Sequence, residues 1–542
     1  MTRYLTLMEK LTHGLRVDER AARNTGALTV CNNLVPLPTG LHGCREISNV
    51  FDIASDWPWP QVFRGKRKTL AATDTAIYEI DESDWSSSEY FVRDYADPDI
   101  QKTLAASTEP FHFVDLGLAW MLIRSDITVF QMRLQELFTD GEGPLGVDYP
   151  VDYVLACDNV TLRTGASAGG RVMLGGFDKD DVFSKAQWGE LINEYYAHFV
   201  TASTLQDLDQ QFLLWSSIGK ADFWGLFFPS LLIEGFVPAF TGGGLARPPL
   251  FELIKENQFG WMPLPVQGAV QVVKPLGKEF VVYTEDGVFL LSPVNDIEMP
   301  TFGRTKLSDI GVASRGAVGG TISEHVYIDK EGDLNILLPG QAPTRLRYRE
   351  FLADYVSTPI RIMYNADDRQ YHMCVGNTGE RHYIFTQRGL VRNTSQRAVS
   401  ACEYVDNDLI GVSDDSAIGV NISTFTTDWL DFGTQELKTL ATVEVSADYN
   451  TETLMRVGVT AIYADGTTYS LSSVTPVENG VAYTPIAGLR FRIVVWFQHD
   501  TDVDPATKET FEDLHVHFIR VGYNITSKHS IQGAIDGPTS SR

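Results

Sequence analysis

The segment Phe280-Val-Val-Tyr-Thr-Glu-Asp-Gly-Val-Phe-Leu-Leu291 decides the fold class of this chain. Two runs of β-branched and aromatic residues flank Asp286-Gly287, a pair that favours a tight turn, so the segment predicts a β-hairpin. The same pattern predicts further hairpins with turns at Ser125-Asp126, Glu331-Gly332, Asp367-Asp368, Arg388-Gly389 and Asp414-Asp415. Because it persists from about residue 50 to residue 425, we expect a mostly β protein.

The spacing of these turns predicts a β-propeller. Turns near Asp286, Glu331 and Asp367 recur about every 40 residues, which matches one four-stranded blade per repeat. The number of blades stays open, and a row of small β domains is the alternative. We expect residues 1–49 to form an N-terminal extended arm and residues 50–425 to form the propeller.

Helical segments interrupt this pattern. Residues 181–202 are predicted to form a helical insertion, because their apolar side chains recur at helical spacing. A shorter helix is predicted at Gln131–Phe138, and a turn or two of helix at Tyr348–Tyr355. A helical insertion in a propeller can make an oligomer contact or can simply cover an exposed edge of the core.

The C-terminal part of the chain has longer alternating strands. At least five are predicted between residues 426 and 525, with turns at Asp465-Gly466 and Asn479-Gly480, which is typical of a separate β-sandwich. The predicted strands are Thr442–Ala447, Leu454–Tyr463, Thr468–Val474, Arg490–Phe497 and His515–Gly522. The final residues, 526–542, are polar and rich in glycine and serine, so we expect a tail.

Composition and charge exclude several classes of protein. The chain has 542 residues and 44% hydrophobic residues, enough for a large core without disulfides. Its 44 basic and 70 acidic residues give a formal charge of −26, which argues against a surface that neutralises nucleic-acid phosphates. Five scattered cysteines predict thiols made in a reducing cytoplasm, and no signal peptide or membrane span is predicted.

No catalytic motif occurs in the sequence. It lacks a nucleophile elbow, a zinc-protease helix motif, a phosphate-binding P-loop and a dinucleotide fingerprint. We therefore predict no enzymatic activity, no catalytic residues and no cofactor. A propeller hydrolase with two facing carboxylates is a less favoured hypothesis, since 70 acidic residues provide such pairs by chance.

Three sets of residues contain metal-ligand types, although the sequence predicts no bound metal. Cys31, His42 and Cys44, with His13 upstream, contain zinc-ligand types but lack paired Cys-x-x-Cys spacing. Two acidic runs have carboxylates near alternate positions, as calcium loops do, but they lack the glycine and distal glutamate of an EF-hand loop. These runs are Asp178/Asp180/Asp181 and Asp500/Asp502/Asp504.

Several segments together resemble the tail nozzle and packaged-DNA stabilisation (tail hub) proteins of short-tailed bacteriophages. The segments, in chain order, are Asn32–Leu41, Leu214–Trp224, Val281–Leu290, Ile310–Val318, Tyr327–Asp333, Phe518–Thr526 and Ile531–Ile535. In Leu214–Trp224, Lys220-Ala221 stand where that family has Asp-Pro. The resemblance is thin between residues 130 and 210.

The resemblance implies a structural virion protein, assembled in the host cytoplasm and located in the phage tail. It implies a homohexameric ring below the portal and adaptor proteins, next to tail fibre or tailspike proteins. Such a ring retains packaged genomic DNA and conducts it during ejection, without specific binding. Six copies at −26 each would line or surround the channel with acidic charge, so DNA would slide and not stick.

The candidate gate loops are the two glycine-rich segments. Their candidate residues, chosen because glycine gives flexibility, are Gly169, Gly170, Gly242, Gly243 and Gly244. The alternative function is a receptor- or glycan-binding tail propeller, whose binding residues would be Trp57 and Trp59.

Overall fold

The structure of the protein is a computed structural model. The described residues are 2–7, 15, 28–49, 61–65, 67–94, 100–107, 109–115, 120–132, 153–157, 162–176, 211–216, 260–294, 301–376, 381–394, 397–405, 408–414, 422–450, 453–476, 480–499 and 513–526.

The described residues are mostly β, as predicted. The strands of the first half are β1 (Arg3–Thr6), β2 (Leu28–Asn32), β3 (Leu34–Leu37), β4 (Gly40–Gly43), β5 (Ile47–Asn49), β6 (Gln61–Arg64), β7 (Thr69–Ala72), β8 (Ile77–Ile80), β9 (Ser87–Glu89), β10 (Val92–Asp94), β11 (His112–Asp115), β12 (Trp120–Arg124), β13 (Ile127–Met132), β14 (Tyr153–Cys157), β15 (Thr164–Ala168), β16 (Arg171–Gly175), β17 (Phe212–Trp215) and β18 (Gly260–Pro263). The remaining strands are β19 (Val270–Leu276), β20 (Glu279–Thr284), β21 (Gly287–Val294), β22 (Thr301–Ser308), β23 (Val318–Thr321), β24 (Glu324–Ile328), β25 (Leu334–Leu337), β26 (Thr344–Arg345), β27 (Ile360–Asn365), β28 (Gln370–Val375), β29 (Arg381–Thr386), β30 (Gly389–Asn393), β31 (Arg397–Val405), β32 (Asp408–Asp414), β33 (Ile422–Thr427), β34 (Lys438–Asp448), β35 (Thr453–Ile462), β36 (Thr468–Val474), β37 (Val481–Gly488), β38 (Arg490–His499) and β39 (His515–Ile525).

The chain divides into two compact units. The middle unit is Val50–Ile362, and the two-ended unit is made of Met1–Asn49 together with Met363–Arg542. The predicted domains, 1–49, 50–425, 426–525 and 526–542, stay predictions.

Sheets of the middle unit use strands that follow one another along the chain. In its described residues, four sheets run in sequence order: β6 to β9, β15 to β18, β19 to β22 and β23 to β26. A further sheet has the order β10-β14-β13-β12-β11, with β10 parallel to β14. Four successive antiparallel strands make up the sheet of a propeller blade.

The two-ended unit combines strands from both ends of the chain. Its largest sheet has the order β27-β28-β29-β30-β2-β33-β38-β35-β36, in which β27 begins just before residue 363. A second sheet has the order β3-β4-β39-β34-β37, with β1 also paired to β39, and a third has the order β31-β32-β5.

The described N-terminal strands pair with strands from the C-terminal part of the chain. Strand β1 pairs with β39, β2 lies between β30 and β33, β4 pairs with β39, and β5 pairs with β32. Every one of these partners lies after residue 363. The N-terminal strands are thus members of sheets that the C-terminal residues complete.

Most predicted hairpins are confirmed. Strands β12 and β13 flank Ser125-Asp126, and β20 and β21 flank Glu285-Asp286, one residue before the predicted turn. Strand β32 pairs with β31 and β5, while the partner predicted after Asp415 lies outside the described residues.

Two helix predictions can be compared with the structure. The turn predicted at Tyr348–Tyr355 is confirmed as a short helix α1 (Arg349–Leu352), followed by a 3-10 turn at Ala353–Tyr355. The helix predicted from Gln131 is wrong in its first two residues, because β13 continues through Met132 in antiparallel pairing with β14. The rest of that segment, and the insertion at 181–202, lie outside the described residues. No described helix is long and apolar enough to cross a membrane.

The core of each unit follows from the alternation of its strands. A cluster of buried aliphatic and aromatic side chains joins β15 to β22 in the middle unit, including Val273, Phe280 and Leu291. In the two-ended unit, β35 and β37 alternate between buried and more exposed residues, so one face of each strand is buried.

Candidate functional site

The first candidate gate loop is an exposed turn. Gly169 and Gly170 connect β15 and β16, whose last pair is Ala168 with Arg171. Both glycines are exposed, and both have positive φ, 59° and 76°, which glycine adopts without steric cost. No atom lies within 4 Å of the position of a Cβ on Gly169. The role of this turn as a gate stays a prediction.

The other predicted site residues lie outside the described residues. They are the loop glycines Gly242, Gly243 and Gly244, the candidate glycan contacts Trp57 and Trp59, the acidic runs around Asp180 and Asp502, and His13. Their predicted roles stay predictions.

The two cysteines of the candidate zinc set, Cys31 and Cys44, are buried thiols. Cys31 and Cys44 are at most 5% exposed, and the Cys31 thiol donates to the Leu34 carbonyl oxygen at 3.3 Å. Burial raises the pKa of Cys44 to about 12 and, with Cys44 nearby, raises the pKa of Cys31. Burial therefore disfavours the thiolate form of both cysteines, which is the form that binds zinc. His42 does not join them in a cluster of ligand atoms within the described part of the chain.

His42 instead belongs to a histidine cluster on three neighbouring strands. The register pairs His42 on β4 with His515 on β39, and His515 with Asp448 on β34. These three residues form a row across the sheet, because directly opposed side chains point to the same face. His517 follows two residues after His515 on β39. We define the histidine cluster as His42, Asp448, His515 and His517.

The side chains of the histidine cluster lie in direct contact with one another. The ring centroids of His42 and His515 are 3.9 Å apart at 22°, so the two imidazoles stack, and those of His515 and His517 are also 3.9 Å apart. His517 Nε2 lies 2.8 Å from Asp448 Oδ2. One ligand atom from each of Asp448, His515 and His517 can be chosen so that all lie within 4.8 Å of one another.

The β3–β4 turn supports the cluster from one side. Thr39 Oγ1 is hydrogen-bonded to His42 Nε2 at 2.7 Å, and the Thr39 carbonyl oxygen lies 3.3 Å from His515 Nε2. Gly40, with φ 151°, allows this close approach, because a Cβ there would lie 2.2 Å from the Val516 carbonyl oxygen and 3.1 Å from His515 Nε2. The turn therefore sets the orientation of two imidazoles.

The pKa of His42 is lowered by its surroundings. Burial, followed by the charges of His515 and His517, lowers the pKa of His42 to about 4. His42 is thus neutral at physiological pH and can accept a hydrogen bond from Thr39. Asp448 is 75% exposed at its side chain and His517 is 35% exposed, so solvent reaches this edge of the cluster.

Sequence analysis found only part of this cluster. Two of its three strands are predicted from the sequence, one beginning at His515 and one ending at Ala447, and His42 is a zinc-ligand type, but no strand is predicted at β4. The alternation His515-Val516-His517 in a strand puts both imidazoles on one face, which is a local signal. Their partners Asp448 and His42 come from distant strands, and only the sheet register brings them together.

Other buried polar clusters have structural roles. The Asp329 carboxylate, 2% exposed, accepts hydrogen bonds from the backbone N–H groups of Glu331 and Asp333 and from Asn335 Nδ2. It closes the turn between β24 and β25. Arg124, fully buried at its side chain, donates to the Asp74 and Ala105 carbonyl oxygens and contacts Asp126. In each cluster the buried polar groups have hydrogen-bond partners, as buried polar groups in folded proteins usually do.

No known protein family and no curated protein matches the sequence. Solved structures match it at low similarity. The WD40 domain of Neurospora crassa Pan2 is 8% identical with a TM-score of 0.33, over 68% of this chain and 90% of that chain. The SapL1 lectin in complex with α-methyl fucoside is 11% identical with a TM-score of 0.29, over 62% and 94%. AztD from Citrobacter koseri is 10% identical with a TM-score of 0.27, over 65% and 89%.

Proposed function

We propose that this protein is a non-enzymatic ring component of a short-tailed phage tail. In this proposal six copies form a nozzle below the portal and adaptor proteins, retain the packaged genome and conduct it during ejection. The observation that carries the proposal is the order of the family-like segments along the chain, from Asn32–Leu41 near the start to Phe518–Thr526 near the end.

Two of these segments coincide with buried polar residues that hold the sheets together. Asn32–Leu41 contains Asn33, 2% exposed, whose side chain bonds to Thr394 and to the Ile422 carbonyl oxygen. Tyr327–Asp333 contains Asp329, which closes a turn by three hydrogen bonds. Buried polar residues of this kind maintain a scaffold, which supports a structural role more than a catalytic one.

The architecture we infer for this role is a propeller with an appended sandwich. The successive four-stranded sheets of the middle unit have the strand order of propeller blades. In residues 426–525, strands such as β34 and β37 belong to one sheet and β35 and β38 to another, and all four bury alternate residues. Two antiparallel sheets with one buried face each fit a sandwich.

The net charge supports a channel through which DNA slides. At −26 per chain, a ring of copies repels the phosphate backbone and offers it no counter-charge. Ejection of DNA along such a channel needs gating contacts and no active site. The exposed turn at Gly169 and Gly170 is the described candidate for a gating contact.

The assembly state tests this proposal. Light scattering of the purified chain, followed by negative-stain microscopy with and without portal and adaptor proteins, is expected to show a six-fold ring with a central channel. A chain that stays monomeric and never joins a portal assembly contradicts the proposal. A trimer with exposed propellers contradicts it too and favours the receptor-binding alternative.

That alternative has its own test. If the protein binds a receptor or a glycan through Trp57 and Trp59, binding to a glycan array or to host cells is lost on Trp57→Ala. Tyr469→Ala is the matched control, because Tyr469 is an exposed aromatic residue, 59% exposed, on β36. Equal binding by both variants and the unaltered chain contradicts a role for Trp57.

A further inference from the structure

We propose that Asp448, His515 and His517 bind a divalent transition-metal ion of the zinc class. Neither the ring function proposed above nor the similar structures assign any ion to this chain. The proposal rests on the juxtaposition of one carboxylate and two imidazoles at the open edge of the histidine cluster.

The donor set fits zinc by its chemistry. Imidazole nitrogen and carboxylate oxygen bind Zn²⁺ at about 2.0–2.2 Å, and many zinc sites have three protein ligands with a fourth position open to solvent. Calcium and magnesium prefer oxygen ligands only, so two imidazoles select against them. The site lies on the surface side of β34 and β39, with Asp448 mostly exposed, so an ion can enter from solvent.

The distances require only a small movement. In a tetrahedral site, two donor atoms about 2.1 Å from the ion lie about 3.4 Å apart. His517 Nε2 and Asp448 Oδ2 are now 2.8 Å apart, and the widest separation in the trio is within 4.8 Å. Asp448 is 75% exposed and can rotate outward, while the imidazoles approach by small changes of side-chain torsion.

The surroundings prepare His515 as a ligand. The Thr39 carbonyl oxygen lies 3.3 Å from His515 Nε2 and can accept a hydrogen bond from it, and Nδ1 is then the ring nitrogen that can bind an ion. Such an outer hydrogen bond from the second ring nitrogen to a carbonyl is common for zinc-bound histidines. The His42 ring, stacked at 3.9 Å, limits rotation of the His515 ring, so His42 is a positioning residue.

A β-bulge interrupts the regular pairing of β34 with β39 at His517. The pairing of β34 with β39 passes from Ser446–Phe518 to Ala447–Val516, so His517 is the extra residue on β39. Bulges re-aim side chains and are frequent next to functional sites. The bulge is an observation independent of the histidine positions, and it gives His517 its approach to Asp448.

The ion would connect the ends of two strands. Asp448 is the last residue of β34, and His515 is the first residue of β39. An ion bound to both would hold them together where strand ends otherwise fray. We expect Zn²⁺ to raise the melting temperature of the chain by several degrees, because binding to the folded state alone stabilises it.

Metal binding to the full chain tests the proposal. After dialysis against a chelator, competition with a chromophoric zinc indicator is expected to show one site with micromolar affinity. Co²⁺ at the same site is expected to give the strong visible absorption of a tetrahedral complex. Asp448→Asn and His517→Gln are each expected to weaken Zn²⁺ binding at least tenfold.

Matched variants separate this site from other histidines and cysteines. Asp354→Asn removes one exposed carboxylate elsewhere and is expected to leave affinity unchanged. His42→Ala removes the stacked ring and is expected to weaken Zn²⁺ binding, and His42→Phe, which keeps a ring at that position, is expected to recover it. Circular dichroism of each variant verifies folding. If the unaltered chain binds no Zn²⁺ at 100 µM (about 100 times the expected Kd), or if Asp448→Asn and His517→Gln bind it as tightly as Asp354→Asn, the proposal is wrong.

Discussion

The middle unit and the two-ended unit reach a β fold by different pairings. In the middle unit, sheets such as β19 to β22 pair each strand with the next one along the chain. In the two-ended unit, Thr29 on β2 bonds to the Thr426 carbonyl oxygen, 397 residues away. Local pairing is encoded by turn residues, whereas distant pairing depends on register and burial. The two units should therefore respond differently to single substitutions.

The largest effect is expected for Asn33→Ala in the two-ended unit. Asn33 has φ 59°, and its carboxamide accepts from the Thr394 N–H at 2.6 Å and donates to Thr394 Oγ1 and the Ile422 carbonyl at 2.8 Å. Loss of these buried bonds costs about 3–5 kcal/mol of unfolding free energy, since each orphaned group costs about 1–3 kcal/mol. Urea unfolding measures the total.

Hydrogen exchange then locates that loss. Protection is expected to fall in β2, β30 and β33 together, because Asn33 connects them. Thr460→Ala, which removes an exposed hydroxyl on β35, is the control and is expected to change stability by no more than about 0.5 kcal/mol. A loss below about 1 kcal/mol, or one confined to the middle unit, contradicts the prediction.

A smaller and more local effect is expected for Asp329→Ala in the middle unit. The Asp329 carboxylate satisfies the N–H groups of Glu331 and Asp333 and the amide of Asn335. Their loss is expected to cost about 2–4 kcal/mol. Because β23 to β26 pair among themselves, increased exchange is expected in this sheet alone. Asp309→Ala, at an 89% exposed carboxylate, is the control. If β1 to β5 lose as much protection from hydrogen exchange as β23 to β26, the expectation of an effect confined to this sheet is wrong.

The pH dependence of stability is expected to report a buried histidine of the middle unit. Burial and, secondarily, Lys274 lower the pKa of His325 to about 3. As the pH falls below 6.5, His325 binds a proton in the unfolded chain but not in the folded chain. Its contribution to the free energy of unfolding is therefore complete above pH 6.5 and is lost as the pH falls toward 3. His325 alone accounts for up to about 3 kcal/mol between pH 7 and pH 4.

The substitution His325→Gln removes this contribution. Urea unfolding at pH 7 and pH 4 is expected to show a smaller fall for the variant than for the unaltered chain, although Gln lowers stability at pH 7 by loss of the 2.9 Å contact with Tyr283. Asp354→Asn is a suitable control for an ionisable group on the surface. An unchanged difference between the two pH values contradicts the assignment.

The smallest effect is expected for Gly169→Ala. The residue needs φ 59° but meets no atom within 4 Å, so alanine costs only the left-handed backbone, about 1 kcal/mol. Gly169→Asn tolerates this conformation better and is expected to cost less. Thermal unfolding measures both. A loss above about 3 kcal/mol would reveal contacts of the turn, and normal genome retention after deletion of the turn would remove it as a gate.

The sequence was informative where structure is local. Turn pairs such as Ser125-Asp126 and Glu331-Gly332 predicted hairpins that are confirmed. Strand β37 was missed because Pro485 interrupts it, and β37 lies at the end of its sheet order, where proline costs no ladder bond on the open side. The pairing of β2 with β33 carries no turn signal, so the sequence could not predict that the N-terminal strands belong to three sheets.

The histidine cluster, too, could be predicted from the sequence only in its local part. The alternation of His515 and His517 was visible in the sequence, and a strand there was predicted. Their meeting with Asp448 and His42 depends on the order β4-β39-β34, which no local pattern encodes. The buried thiols Cys31 and Cys44 looked like ligands by residue type, and their burial could not be foreseen from spacing.

The pairing of N-terminal with C-terminal strands also delays the folding of the N-terminal strands during synthesis. Strands β1, β2 and β5 leave the ribosome first, yet all their partners come after the middle unit has been translated. At about 5–20 residues per second, the 313 residues from 50 to 362 take roughly 15–60 s to make. During that time the N-terminal strands have open edges, which favour pairing with other chains. We expect slower translation or a missing chaperone to cause aggregation through these strands.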